Sequence, residues 1–161
     1  MATMWRIAFM AAVGIALLGA TGGESQADAM TGWGIADPYH KLYNAKELER
    51  FKATVVKVVE IVPLPGMSPG IALEVREGSE TILVHLGPAA FLKQSDIGIK
   101  PGDRVDIRGC WAEINGKDVL MASKVKKGGN FELKLRLTKD GTPFWTMTPE
   151  QLAKEQKKPN D

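Results

Sequence analysis

The chain is 161 residues long, with 21 Lys+Arg against 19 Asp+Glu, 44% hydrophobic residues and one cysteine. That length holds one hydrophobic core and leaves no room for a second catalytic domain. The lone Cys110 excludes an internal disulfide, a C-x-x-C pair, a c-type haem attachment site and a cysteine-built zinc or iron–sulfur centre, and the near-neutral charge does not advertise nucleic acid.

Met1 to Arg6 carry one positive charge, and Ile7 to Ala20 are apolar, a run shorter than the roughly 20 residues needed to span hydrocarbon. A polar stretch and the small-x-small site Ala27-Asp28-Ala29 follow. This pattern predicts a cleaved secretory signal over residues 1–29. The mature chain is then periplasmic or secreted, with no stable membrane anchor after cleavage.

Residues 30–50 read as an amino-terminal arm, rich in Gly and aromatics, that ends in a helical turn opened by Asn44 and Glu47 as a capping box. Phe51 to Val62 is too β-branched for a helix and predicts a long first strand. Pro63 to Gly70, with its prolines and glycines, is a stiff loop. Ile71 to Arg76 and Thr81 to Leu86 alternate and form a hairpin through Glu77-Gly78. In the second of these strands Ile82, Val84 and Leu86 share the inward face, which predicts that His85 points out to solvent.

Gly87-Pro88 ends that ladder and starts a short helix over Ala89 to Gln94. Pro101-Gly102-Asp103 turns into a fourth strand with Val105 and Ile107 inward. Asn115-Gly116 is the strongest hairpin signal and leads into a fifth strand, Lys117 to Lys126. Phe131 to Leu137 gives a sixth strand, and Thr148, Pro149 and Gln151 cap a short polar helix in residues 147–161. Residues 51–146 thus predict a mainly β domain: a five- to six-stranded barrel with a short helix between strands 3 and 4, the order of the oligonucleotide/oligosaccharide-binding (OB) fold.

The stretches Phe51 to Val62, Pro65-Gly66-Met67, Val84 to Pro88, Lys100 to Val105 and Leu137 to Trp145 resemble the exported bacterial OB-fold family of small periplasmic single-barrel proteins. The resemblance implies a binding or stress-related envelope role and supplies no catalytic residues.

His85 points outward on the face of the second and third strands, which binds ligands in this fold. The expected ligand site therefore has His85 at its centre, framed by Gly66 and Met67 of the proline loop and by Trp111. Soft sulfur with an imidazole suits copper, which makes His85, Met67 and Cys110 the candidate ligands of an alternative metal or haem site, or of an accessory subunit in an envelope redox complex. Lys124, Lys126, Lys127, Arg104, Arg108, Lys134 and Arg136 make a basic side, read as a solvated strand face because acidic residues are interleaved with it. His40 beside Tyr39 pairs with nothing at a recognisable spacing. No nucleophile elbow, phosphate loop or H-E-x-x-H motif occurs. The sequence therefore predicts a non-catalytic binding module with no cofactor, whose partner is a small ligand or an envelope protein and not nucleic acid.

Overall fold

The structure, a computed structural model, describes residue 25, residues 28–95 and residues 97–159. The predicted signal segment lies almost wholly outside the described residues, of which Ser25, Asp28 and Ala29 are its only members. Six strands form: β1 (Glu49–Ile61), β2 (Gly70–Glu77), β3 (Glu80–Pro88), β4 (Arg104–Ile114), β5 (Lys117–Lys127) and β6 (Phe131–Lys134). Helix α1 (Ala89–Ser95) separates β3 from β4, and α2 (Pro149–Gln156) lies near the carboxyl end.

The sheet order is β3-β2-β1-β4-β5-β6, and β3 also pairs in parallel with β5 through Val84↔Leu120 and His85↔Met121. That second pairing closes a ring of β1 to β5 and covers part of the edge that an open sheet would expose, with β6 flanking β5 outside the ring. The long β1 serves two neighbours: residues 49–54 pair with β4, and residues 54–61 pair with β2 across a bulge between Val55 and Lys57. A bulge bends its strand and increases the twist, so one strand can turn the corner between two sides of a barrel. The fold is the OB-like barrel read from the strand order.

Rows of directly opposed residues fill the interior. Val55, Val75 and Ile82 make one row, Leu73, Val84 and Leu120 another, and Phe51, Ile107 and Val125 a third. Most of these side chains are buried, with Val75, Val84, Leu73, Ile107 and Leu120 fully so. The Asn115-Gly116 turn has φ of +53° and +73°, the pair of positive values that a tight two-residue hairpin demands.

Three local expectations are corrected. Asn44 to Glu47 forms a turn and no helix: the Asn44 side-chain oxygen accepts from Lys46 N–H, and β1 then starts at Glu49. Gly87 and Pro88 stay inside β3, because Ile71 and Gly70 pair opposite them at the strand end, where a proline loses little. β6 stops at Lys134, because the N–H groups of Leu135 and Arg136 both turn to the carbonyl of Ser123. At α2, Thr148 and Gln151 do form the expected capping box.

Candidate functional site

Two outer faces of the barrel carry the chemistry, and they differ in what covers them. On the first, Ala72, His85, Met121 and Cys110 stand opposite one another in turn across β2, β3, β5 and β4. Alternation places this row on the far side of the strands from Leu73, Val84 and Leu120. All four residues are nevertheless buried, and His85 is only 4% exposed. This corrects the expectation of a solvent-facing imidazole.

The cover comes from the two ends of the chain. Trp33 packs on Gly70 and Trp145 on Gly87 so closely that a Cβ at either glycine would stand 2.3 or 2.7 Å from an indole carbon. The two indoles meet edge to face at 6.0 Å, and Trp145 Nε1–H donates to the Trp33 carbonyl at 2.8 Å. Trp33 Nε1–H reaches the Ser68 carbonyl at 2.9 Å, which ties the arm to the proline loop. Tyr39 stacks beside His85, and its hydroxyl lies 3.0 Å from His85 Nδ1.

Beside them the guanidinium of Arg136 is buried among the rings of Tyr43 and Trp145 at 5.0 Å and Tyr39 at 6.0 Å. It donates to His40 Nδ1 at 3.0 Å and to the Gly141 carbonyl at 3.3 Å. A guanidinium only donates, so His40 Nδ1 is the acceptor of its bond with Arg136. Burial, reinforced by the Arg136 charge, pushes the His85 pKa down to about 4, and the same causes in the same order lower that of His40. Burial also pushes the Tyr39 phenol well up, so it stays a donor.

The other predicted site residues do not assemble around His85. Met67 is half-buried against Gly32 of the arm, and Gly66 holds the loop tip with φ +83°. Trp111 sits at the other end of β1, stacked on Phe51 at 6.5 Å, with Nε1–H donating to Glu49 at 2.9 Å. Cys110 is separated from His85 by Met121, and its sulfur accepts from Asn44 N–H at 3.3 Å. Among the described residues no cluster of three or more His, Cys, Asp and Glu has a geometry that fits a metal ion.

The second face, over β1, β4 and β5, is open. Register builds it row by row. Thr54 stands between Arg76 and Arg104. In the next row come Lys52, Asp106, Lys126 and Glu132, and in the row after that Arg50, Arg108, Lys124 and Lys134. The inward partners on β4 are Val105 and Ile107, so the cations point outward as alternation requires.

Two carboxylates interrupt this face. Asp106 takes a fork from Arg50, with Nε–Oδ1 at 2.8 Å and Nη2–Oδ2 at 2.6 Å, and that bonding holds its carboxyl below the usual range. Glu132 lies beneath Lys124, Lys126 and Lys134 at 3.4, 3.3 and 3.9 Å. Lys52, Arg76, Arg104 and Arg108 have no ion pair among the described residues. Between the rows lie hollows of about 530 and about 440 Å³ that share Lys52 and Arg104 as walls.

The basic side read from the sequence therefore exists in part, since Lys124 is buried over Glu132 and Lys134 donates to the Glu155 and Lys158 carbonyls. Arg136 is buried in the aromatic cage, and Lys127 turns away to Asp103 and the Gly98 carbonyl. Sequence reasoning did not list Arg50, Lys52 and Arg76. Their signal was alternation along β1 and β2, where each cation sits next to an inward residue.

Residues 47–132 match the family model described as the MamS/MamX magnetosome protein family. The chain belongs to the MamS/MamX magnetosome protein family. That span runs from the start of β1 into β6, so it contains His85 and most of the basic face. Trp33, Tyr39, Arg136 and Trp145, which seal the other face, lie outside it. Among solved structures the MamS/MamX chain is similar to a chain of a replication protein A heterotrimer bound to ssDNA, with 15% identity and a TM-score of 0.40. The match covers 52% of this chain and 59% of that one, so this chain spans little more than half the length of that relative. Comparison with curated proteins finds no match. No helix among the described residues is long and apolar enough to cross a membrane.

Proposed function

We propose that this MamS/MamX family member is an exported, non-catalytic binding module that works at the magnetosome and engages a negatively charged partner through the β1–β4–β5 face. One observation carries the reading. The β2–β3 face, which binds ligands in many OB barrels, is filled by the chain's own Trp33, Tyr39 and Trp145, whereas Lys52, Arg76, Arg104 and Arg108 stand unneutralised on the face that remains open. Unpaired cations that share one face add their fields and draw anions to it. Export is supported by the apolar run from Ile7 to Ala20 and by the Ala27-Asp28-Ala29 site, and the place of action by the family's description.

The test is fractionation of an epitope-tagged full chain in a magnetosome-forming cell. Wild-type chain is expected to sediment with magnetosomes and to leave them in high salt, and the Arg104→Glu/Arg108→Glu variant to remain in the soluble extracytoplasmic pool. A chain that stays in the cytoplasm, or that sediments equally with and without those arginines, defeats the reading.

A further inference from the structure

The next step rests on that reading and names the partner. We propose that the β1–β4–β5 groove takes an extended acidic polypeptide segment, whose carboxylates are held by Arg50, Lys52, Arg104, Arg108 and Lys126.

The groove already shows how it holds a carboxylate. Arg50 grips Asp106 through two parallel N–H donors, the planar fork that guanidinium offers to carboxylate. Asp106 is thus a built-in occupant at the centre of the face, and the arginines on either side of it along β4, Arg104 and Arg108, have no carboxylate among the described residues. Side chains on one face of a strand repeat every two residues, about 6.6 Å apart. The cationic positions of β1 and β4 follow that repeat, and so do alternate side chains of an extended peptide laid along them. The spacing and the charge are therefore complementary to an acidic strand.

Two other anionic macromolecules fit the face less well. Single-stranded nucleic acid needs aromatic platforms on which its bases stack. The nearest aromatic pair, Phe51 and Trp111, belongs to the opposite side of the strands, because Phe51 alternates with Arg50 and Lys52 and shares its row with the interior Ile107. A lipid surface presents a plane of headgroups, whereas much of the cationic wall here lines hollows of about 530 and about 440 Å³. Extended side chains can enter such hollows, and a plane cannot.

The experiment uses the full mature chain and fluorescence anisotropy of a labelled glutamate-rich peptide, with phosphatidylglycerol vesicles and oligothymidylate as competing probes. The peptide is expected to bind in low salt, to weaken at least about tenfold in Arg104→Glu/Arg108→Glu, and to tighten about threefold in Asp106→Asn. The last change removes the internal carboxylate and releases Arg50, so it moves affinity in the direction opposite to any loss of folding. If the double variant melts early, single Arg104→Gln and Arg108→Gln variants replace it. The proposal is overturned if the peptide does not bind, if Asp106→Asn leaves it unchanged or weaker, or if vesicles or oligothymidylate bind more tightly than the peptide. A chain that sediments with magnetosomes yet ignores the peptide overturns the partner class alone. One that binds the peptide but does not sediment overturns the place of action alone.

Discussion

The two outer faces of this barrel are built from strands of the same kind, yet one is dry and the other open. At the end of β2 and β3 around His85, the outward residues Gly70, Ala72 and Gly87 are small, and two tryptophans lie directly on the backbone there. Along residues 50–54, 104–108 and 124–126 of β1, β4 and β5 the outward residues are mostly long cations, with Thr54 and Asp106 among them. Alternation decides which side of a strand a residue takes. Whether that side meets water is decided by segments outside the strands. The same distinction separates the two arginines with the most to say: Arg136 is enclosed by rings and Arg104 is exposed.

The largest effect that tests this contrast is at the cover. Trp145 spans Gly87, Trp33, Phe91 and the Arg136 guanidinium. Trp145→Ala removes a large buried aromatic and is expected to cost about 3–5 kcal/mol in denaturant unfolding. It should also expose the arm to proteolysis before the barrel. An unfolding free energy within 1 kcal/mol of wild type, roughly the scale of a surface change, would mean that the cover does not stabilise the fold.

His85 is next. Its removal empties a buried position and strands the Tyr39 hydroxyl, so His85→Ala is expected to destabilise by about 2–3 kcal/mol. The sequence alone, with the imidazole placed in solvent, predicts a change within about 1 kcal/mol. The pH dependence has a definite sign. An unfolded histidine takes up its proton near pH 6.5, while folded His85 waits until about pH 4. Between those values the unfolded state binds more protons, so stability is complete above pH 6.5 and falls as pH drops toward 4. His40, shifted the same way, adds to the fall. Thermal melts across that window should show a steep loss in wild type and a shallower one in His85→Gln.

Alternation made much of this legible. It put Ile82, Val84 and Leu86 inside, His85 on the opposite side, and Arg104, Asp106 and Arg108 together on β4. The covering of His85 was not legible, because it depends on contacts between distant parts of the chain: Tyr39 meets His85 46 residues away, and Trp145 meets Trp33 across 112. The available signal was a glycine in the last residues of a strand, Gly87, together with aromatics in both flanking segments, since a strand glycine often marks close approach of another group. Arg136 misled for a local reason. It follows Lys134 by two residues and should share its side, but the double turn of Leu135 and Arg136 N–H onto the Ser123 carbonyl ends the alternation just before it.

The same substitution at two arginines gives the sharpest form of the comparison. Arg136→Gln removes a buried group that fills the space between three rings and donates to the half-buried His40 Nδ1 and to the buried Gly141 carbonyl, and a buried acceptor left without its donor costs about 2 kcal/mol. Arg104→Gln removes an exposed charge with no ion pair among the described residues, and its unfolding free energy is expected to stay within about 0.5 kcal/mol of wild type. For affinity the order reverses. Arg104→Gln should weaken the glutamate-rich peptide severalfold, while Arg136→Gln, measured where it remains folded, should leave it unchanged, because its guanidinium is buried and already engaged with His40 and the Gly141 carbonyl. Equal losses of affinity in the two variants would mean that the faces are not independent, and that the arm over β2 and β3 also shapes the groove on the other side.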